Sequence, residues 1–302
     1  MDIEKANSIP IAKILDKLGC ILKQQENNTS RYTSPLNIEK TVTLIVNHDR
    51  NTWHDENENI YGTPISLVCL YLQRSGESYS ISDALRWITN MLGYAPKIKP
   101  ITGLIELPTR RKLKKLSVRP LTKTALIYFL ERRGIPHELA KRYLKQVQVR
   151  DLETDEVFTT LGFQNESLGY ELQSASFRDC FGKRNITFIR GNVVKPSGIH
   201  IFKNGLDYFS AMLRENNGKN FDDDAIILHC MSLLPRPTPF IKGYGYATAY
   251  SWMDNNAIGS AAIRSLSNFF RTEPRLRHKP MNPLYAGHKD VNAWHMSLQG
   301  LL

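Results

Sequence analysis

Hydrophobic spacing divides the chain into stretches of different period. "IPIAKILDKLGCIL" carries apolar residues at helical intervals and stops near Gly19. "TVTLIVNHDRNTWHD" is instead rich in β-branched residues and turns at Asn47-His48-Asp49, which predicts strands. "TPISLVCLYLQRSG" and "SISDALRWITNMLGY" return to the helical period, the second opened by a Ser-x-x-Asp cap at Ser80. Residues 1–95 therefore read as a small mixed domain. Prolines and cations then break the pattern. "APKIKPITGLIELPTRRKLKKLSVRPLTK" holds Arg110, Arg111, Lys112, Lys114, Lys115 and Arg119, so residues 96–121 predict an exposed basic linker or a phosphate-contacting arm.

From Thr122, "TKTALIYFLERRGIPHELAKRYLKQVQVRD" predicts two helices joined at Gly134-Ile135-Pro136. On the second, Lys141 and Lys145 stand four residues apart on one side. "VFTTLGFQNESLGYELQSASFRDCFGKRNITFIRG" then predicts antiparallel strands broken by Gly and Asn turns, completing a mixed connecting module over residues 122–195. The last third alternates differently. "GIHIFKN", "DAIILHCMSLL" and "YATAYSWMD" read as strands, and "GLDYFSAMLRENN" and "NAIGSAAIRSLSNFFRT" as helices. Residues 196–302 thus predict an α/β unit with a parallel sheet. No period of 20–50 residues repeats, which excludes a solenoid.

Composition narrows the partners. The 302 residues are 41% hydrophobic and carry a formal charge of +11 with pI near 9.4, which favours a polyanion such as nucleic acid. The four cysteines, Cys20, Cys69, Cys180 and Cys230, include no CxxC pair, so a reducing compartment is expected. No apolar run reaches membrane-spanning length, and "MDIEKANSIP" lacks a signal peptide's basic and apolar regions. A soluble cytoplasmic protein with no membrane partner is the expectation.

Candidate chemistry sits where parallel strands end, since ligands of open sheets gather beyond the carboxyl ends. Lys203, Asn204 and Asp207 follow the first strand of the last third, Asp254 follows "SWM", and Asp290 and Asn292 lie in "GHKDVN". Converging carboxylates there would hold magnesium. Asp-Asn-Asn is also ordinary turn and helix-cap chemistry, and Asp254 as a cap for the helix from Ala257 fits the spacing as well.

In their order, "IFKNGLDYFSAM", "AIILHCMSLL", "YSWMDNNAIGSAA" and "YAGHKDVNAW" resemble the successive motifs of the toprim domain of bacterial primases and topoisomerases. "RYTSPLNIEKTVTLIVNHDRNTWHDENENIYGTPISLVCLYL" is similar to the zinc-ribbon segment that precedes toprim in bacterial DNA primases. "YFLERRGIPHELAKRYL" and "GFQNESLGYELQSASFRDCFGKRNIT" resemble the connecting module of primase-like proteins from bacterial mobile elements. The resemblance implies an α/β fold in three parts: a zinc-ribbon-like front, a mixed α+β module and a toprim-like end with a parallel core. It also implies catalytic acids at Asp254 and Asp290, with Asp207 assisting and magnesium as cofactor.

Two family acids are missing. The first-strand glutamate is replaced by Lys203, and the second acid of the Asp-x-Asp motif by Asn256. An ammonium cannot ligate a metal, and two unit charges about 4 Å apart interact by roughly 4 kcal/mol at an effective dielectric near 20. Lys203 therefore either supplies the missing positive charge to Asp254 or Asp290, or points to solvent beside a vacant pocket. The zinc positions, by the same resemblance, are Ser34, Asn37, Asp55 and Glu58; none offers thiolate or imidazole, so no zinc is expected. Cys69 and His54 are neighbours in sequence but not at those positions.

Further cations, at Arg132, Arg133, Lys141, Arg142, Lys145, Lys183, Arg184, Arg190 and from Arg271 to Lys279, extend a surface for DNA, single-stranded by the resemblance. Trp53 and Tyr61 are candidate stacking platforms, Trp53 reading equally as core, whereas Trp87 and Trp252 read as core. His229 and Cys230 read as packing. Three functions follow: a DNA-binding primase-like protein of a mobile element with transfer weak or lost, acting with replication or mobilisation proteins; an active magnesium-dependent DNA primase; or an interaction module that has lost both DNA and metal.

Overall fold

The computed structural model describes residues 3–36, 41–75, 79–91, 98–101 and 111–301. Two compact units divide the chain: Met1–Ala95 with Thr238–Tyr244, and Pro96–Pro237 with Gly245–Leu302. Among the described residues no helix is long and apolar enough to cross a membrane.

In the first unit, α1 (Ile3–Asn7) and α2 (Ile11–Lys17) precede a five-stranded antiparallel sheet in sequential order. Its strands are β1 (Leu22–Glu26), β2 (Thr29–Tyr32), β3 (Leu44–Asn47), β4 (Thr52–Asp55) and β5 (Ile60–Gly62). Alternation makes the sheet two-faced: Leu44 and Val46 of β3 and Trp53 of β4 turn into a core shared with α3 (Pro64–Arg74) and α4 (Ile81–Met91). Each of these helices starts where the sequence says it must. Thr63 and Ser66 cap α3 reciprocally with Pro64 at its first position. Ahead of α4, the Ser80 amide donates to Asp83 Oδ2 at 3.0 Å.

The second unit holds two sheets. The first is a meander of β6 (Leu113–Pro120), β7 (Leu144–Asp151), β8 (Val157–Gln164), β9 (Tyr170–Gln173) and β10 (Arg178–Phe181), with α5 (Thr124–Glu131) and α6 (His137–Ala140) between β6 and β7. It curls until β10 approaches β6, enclosing Val147, Val149, Leu172 and Phe177. The basic stretch is therefore no linker from Leu113 onward: β6 pairs along β7 with a bulge at Leu116, the exposed Lys114 and Lys115 standing between the half-buried Leu113 and Val118. The predicted second helix also stops early. α6 ends at Ala140 and Lys145 belongs to β7, so Lys141 and Lys145 share no helix; the alternating "LKQVQVRD" is a strand pattern.

The other sheet runs β11 (Thr187–Ile189), β13 (Asp224–Ile227), β12 (Gly198–Phe202), β14 (Thr248–Trp252), β15 (Arg277–Pro280). β12 to β15 pair in parallel and β11 adds an antiparallel edge. β12 and β13 are buried throughout, as strands covered on both faces must be. α7 (Gly205–Glu215) follows β12; the short α8 (Thr238–Ile241) belongs to the first unit; α9 (Ala257–Phe270) follows β14, and α10 (Val291–Leu298) closes the chain. β15 was not foreseen: its arginine and lysine at an edge hide the strand pattern.

Candidate functional site

β12 and β14 lie side by side in parallel with Phe202 opposite Trp252, so the residues just beyond them emerge together. Lys203 Nζ forms an ion pair with Asp254 Oδ2. Asp254 is 4% exposed and its other carboxylate oxygen has no hydrogen-bond partner. Asn256 reaches the paired oxygen only at 3.4 Å; its own side-chain oxygen accepts from the Gly259 amide at 2.8 Å and caps α9. A Cβ on Gly259 would stand 2.0 Å from the Asp254 carbonyl oxygen, so this turn of α9 sits against the site only because the residue is glycine.

The remaining acids are held by helix ends. Asn204 caps α7 by accepting from the Asp207 amide at 3.0 Å. Asp207 lies buried, its carboxyl accepting from the Asn292 amide at 3.1 Å and from Asn204 Nδ2 at 2.6 Å. Burial, then the nearby charges of Asp290 and Asp254, push its pKa up to about 8. Asp290 caps α10, accepting from the Ala293 amide at 2.8 Å. Asn292 ties the group to the loop after α5 by donating to the Arg133 carbonyl at 2.9 Å and to Ser210 Oγ at 3.0 Å.

The residues expected to hold magnesium do not fit it. Asp254 already carries an ammonium, Asp290 serves a helix cap, and burial shifts the Asp207 carboxyl toward its protonated form. Among the described residues no three His, Cys, Asp or Glu side chains gather closely enough to share a metal ion.

The first unit holds the positions that the resemblance aligns with zinc ligands. Ser34 and Asp55, two of the four positions aligned with zinc ligands, meet: Ser34 Oγ donates to Asp55 Oδ2 at 2.6 Å, and both are fully buried. Thr43 Oγ1 at 3.2 Å and the Asn57 amide at 3.0 Å complete the carboxylate's shell. Glu58 pairs instead with Arg74, and Asn37 lies outside the described residues. One hydroxyl and one carboxylate fall short of the four-ligand, thiolate- and imidazole-rich sets that hold structural zinc. Asp55→Ala is expected to destabilise this unit by about 2 kcal/mol, because buried donors lose their acceptor. A calorimetric melt of the variant checks this.

The predicted basic surface is partly structural. Arg110 lies outside the described residues. The Arg111 guanidinium lies over Phe158 and Phe177, 5.2 and 5.1 Å from the ring centroids, and closes the curled sheet. Lys112 pairs with Glu153 at 3.4 Å, and Lys115 rides over Phe181 at 5.5 Å. Lys114 is exposed on β6. Arg132 and Arg133 follow α5 and lie over Tyr128 and Phe129; Lys141 pairs with Glu138 at 2.6 Å. Trp53 is 1% exposed and donates to the Thr63 carbonyl at 2.9 Å, so it is core and offers no stacking face; Tyr61, 81% exposed, does.

A cavity of about 470 Å³ opens between the curled sheet and the start of α7. Leu161, Phe163 and Phe209 give it apolar walls, and Arg178, Arg184 and Lys203 give it cations. Arg184 stands 3.6 Å from both Glu171 and Asp179. Burial raises the Glu171 carboxyl above the ordinary carboxylate range. Burial and the two arginines push His229 down to about 3, leaving a neutral ring beside Phe163. Glu171 and Arg178 carry no local motif; only the strand register assembles them.

Residues 115–182 match the model of a domain of unknown function, DUF8464, and so run from within β6 to the end of β10. No curated protein matches the chain. Among solved structures it is similar to the zinc-binding and RNA polymerase domains of the Aquifex aeolicus primase. The identity is 10% and the TM-score 0.38, over 99% of this chain and 83% of that one. It is also similar to the primase fragment of the bacteriophage T7 primase-helicase protein, at 10% identity and TM-score 0.39, over 86% of this chain and 91% of that one. Likeness at these values assigns nothing, and function rests on the chain's own residues.

Proposed function

We propose that the chain is a DNA-binding, primase-like toprim protein of a bacterial mobile element in which nucleotidyl transfer is weak or lost. The carrying observation is the Lys203–Asp254 ion pair at the adjoining ends of β12 and β14. It places a fixed cation against the surviving acid, where the toprim motif order calls for a second carboxylate. Such chemistry needs oxygen ligands for magnesium, and an ammonium displaces that need rather than meeting it. The net charge of +11 and the exposed cations on β6 support a polyanionic partner that outlasts the chemistry.

On this reading residues 1–95 are a zinc-free relative of the primase ribbon, residues 122–195 the connecting module and residues 196–302 the toprim-like part. The partners are single-stranded DNA and the replication or mobilisation proteins of the host element. Anisotropy with a labelled oligonucleotide tests it. Binding is expected at 50 mM salt and to weaken by roughly 10- to 1,000-fold at 200 mM, as counterion release at several phosphates requires. Absence of binding at low salt overturns the proposal. Magnesium-dependent primer synthesis that disappears in Asp254→Ala overturns the loss of transfer.

A further inference from the structure

The 470 Å³ cavity beside α7 lies wholly within the second unit. Its volume is that of a small-molecule site, which runs from about 300 to 1,000 Å³. The floor is the edge of the core, where Leu161, Phe163 and Phe209 are buried. Gly205 lets the start of α7 come close, since a Cβ at that position would stand 3.1 Å from the Phe163 ring. The His229 ring meets Phe163 edge-on with centroids 5.4 Å apart, and Met231 and Ile258 complete the sides. Aromatic walls of this kind favour a flat apolar body.

Charge decides what that body must carry. Arg184 lies between Glu171 and Asp179, 3.6 Å from each, and Lys203 is paired with Asp254. Arg178 differs from both. It is exposed, it donates one guanidinium N–H to the His229 carbonyl at 3.3 Å, and among the described residues it makes no ion pair. Gln173, directly opposite Arg178 across β9 and β10, lines the same cavity and adds an amide. A planar guanidinium fork beside an amide matches one carboxylate. A polyphosphate is a poor match, because Glu171, Asp179 and Asp254 already balance the three cations of the lining. Burial holds the Glu171 carboxyl toward its protonated form, which leaves room for one negative charge from outside.

We propose that the cavity binds a small monocarboxylate with a flat apolar body, its carboxylate on Arg178 and Gln173 and its body against Phe163, Phe209 and His229. Bound there, the ligand spans β8–β10 and the start of α7 and lies beside Lys203 without taking it from Asp254. Such a ligand needs neither a strand nor a metal, so the site stands or falls apart from the nucleic-acid reading.

The test is calorimetric titration of the full chain with naphthaleneacetate, its uncharged amide, decanoate and ATP. Naphthaleneacetate is expected to bind at one site with a dissociation constant on the order of 0.1 mM, as its size allows. The uncharged amide should bind about tenfold more weakly, having lost the charge-assisted hydrogen bonds. Arg178→Ala should weaken the acid about tenfold and leave the amide's affinity unchanged, which shows the cavity still folded. Lys219→Ala, an exposed cation away from the cavity, should alter neither. Cys230 reports the place, because it lines the cavity whereas Cys20 and Cys69 lie in the first unit. Saturating naphthaleneacetate should slow alkylation of Cys230 by iodoacetamide, read by peptide mass, and leave Cys20 and Cys69 as they were. No saturable binding at millimolar concentration overturns the proposal. So does equal affinity for acid and amide, an Arg178→Ala variant that binds the acid like the parent, or Cys230 alkylated at the same rate with the ligand bound. Decanoate or ATP bound more tightly than naphthaleneacetate overturns the ligand class.

Discussion

Lys203→Glu is expected to turn a chain whose melting temperature ignores magnesium into one that requires a divalent ion. The substitution exchanges the cation that, among the described residues, pairs with Asp254 for a carboxylate, beside Asp207 and with Asp290 near. Without an ion the like charges repel and the end of the parallel sheet loosens; with millimolar magnesium or manganese the melting temperature should recover. Lys203→Met separates charge from ligation. It leaves Asp254 buried and unpaired, which costs about 3 kcal/mol, or roughly 6–12 °C in a unit of this size, and magnesium should rescue little of it. Thermal melts of both variants with and without the ions decide the matter. A Lys203→Glu melt indifferent to magnesium and manganese would show that the ammonium does not stand in for a metal.

A second large effect is a loss of stability as pH rises toward 8. Unfolded, the Asp207 carboxyl titrates near its ordinary 3.8; folded, burial and the neighbouring acids move it to about 8. Between those values the folded chain holds a proton that the unfolded chain releases. The contribution is complete below pH 4 and is lost as pH rises through 8. His229 and His278, pushed down by burial to about 3 and about 4, act oppositely and only below their ordinary 6.5. The window from pH 6.5 to 8.5 therefore reports on Asp207. Denaturant melts should show a midpoint falling across it. Asp207→Asn, which keeps an acceptor for the Asn292 amide, should flatten the profile and exceed the parent's stability at pH 8.5. A parent midpoint unchanged across that window would contradict a buried neutral acid.

The helix starts and the parallel strands were legible because their signals are local. Asn204, Asn256 and Asp290 all cap the helices that follow them, and "GIHIF" and "DAII" are apolar without interruption. The pairing of Lys203 with Asp254 was also within reach, since both sit at strand ends and differ in charge. Elsewhere local signals misled. Prolines and lysines made β6 look like a linker, yet its partner is β7, beyond two intervening helices. Trp53, legible as either core or platform, is core, turned inward by its place in the pleat of β4. Glu171, Arg178 and Lys203 meet around one cavity only through strand register, and no spacing along the chain encodes that.

The Ser34–Asp55 hydrogen bond bears on how the first unit assembles. A ribbon closed by a metal must wait for its ion, so its folding rate depends on how much free metal the cell supplies. Here β2, β3 and β4 come to rest when a hydroxyl meets a carboxylate that the same chain carries. On the proposed zinc-free reading, closure is a property of the polypeptide alone, and the rate at which this unit folds is expected to be the same with and without a chelator.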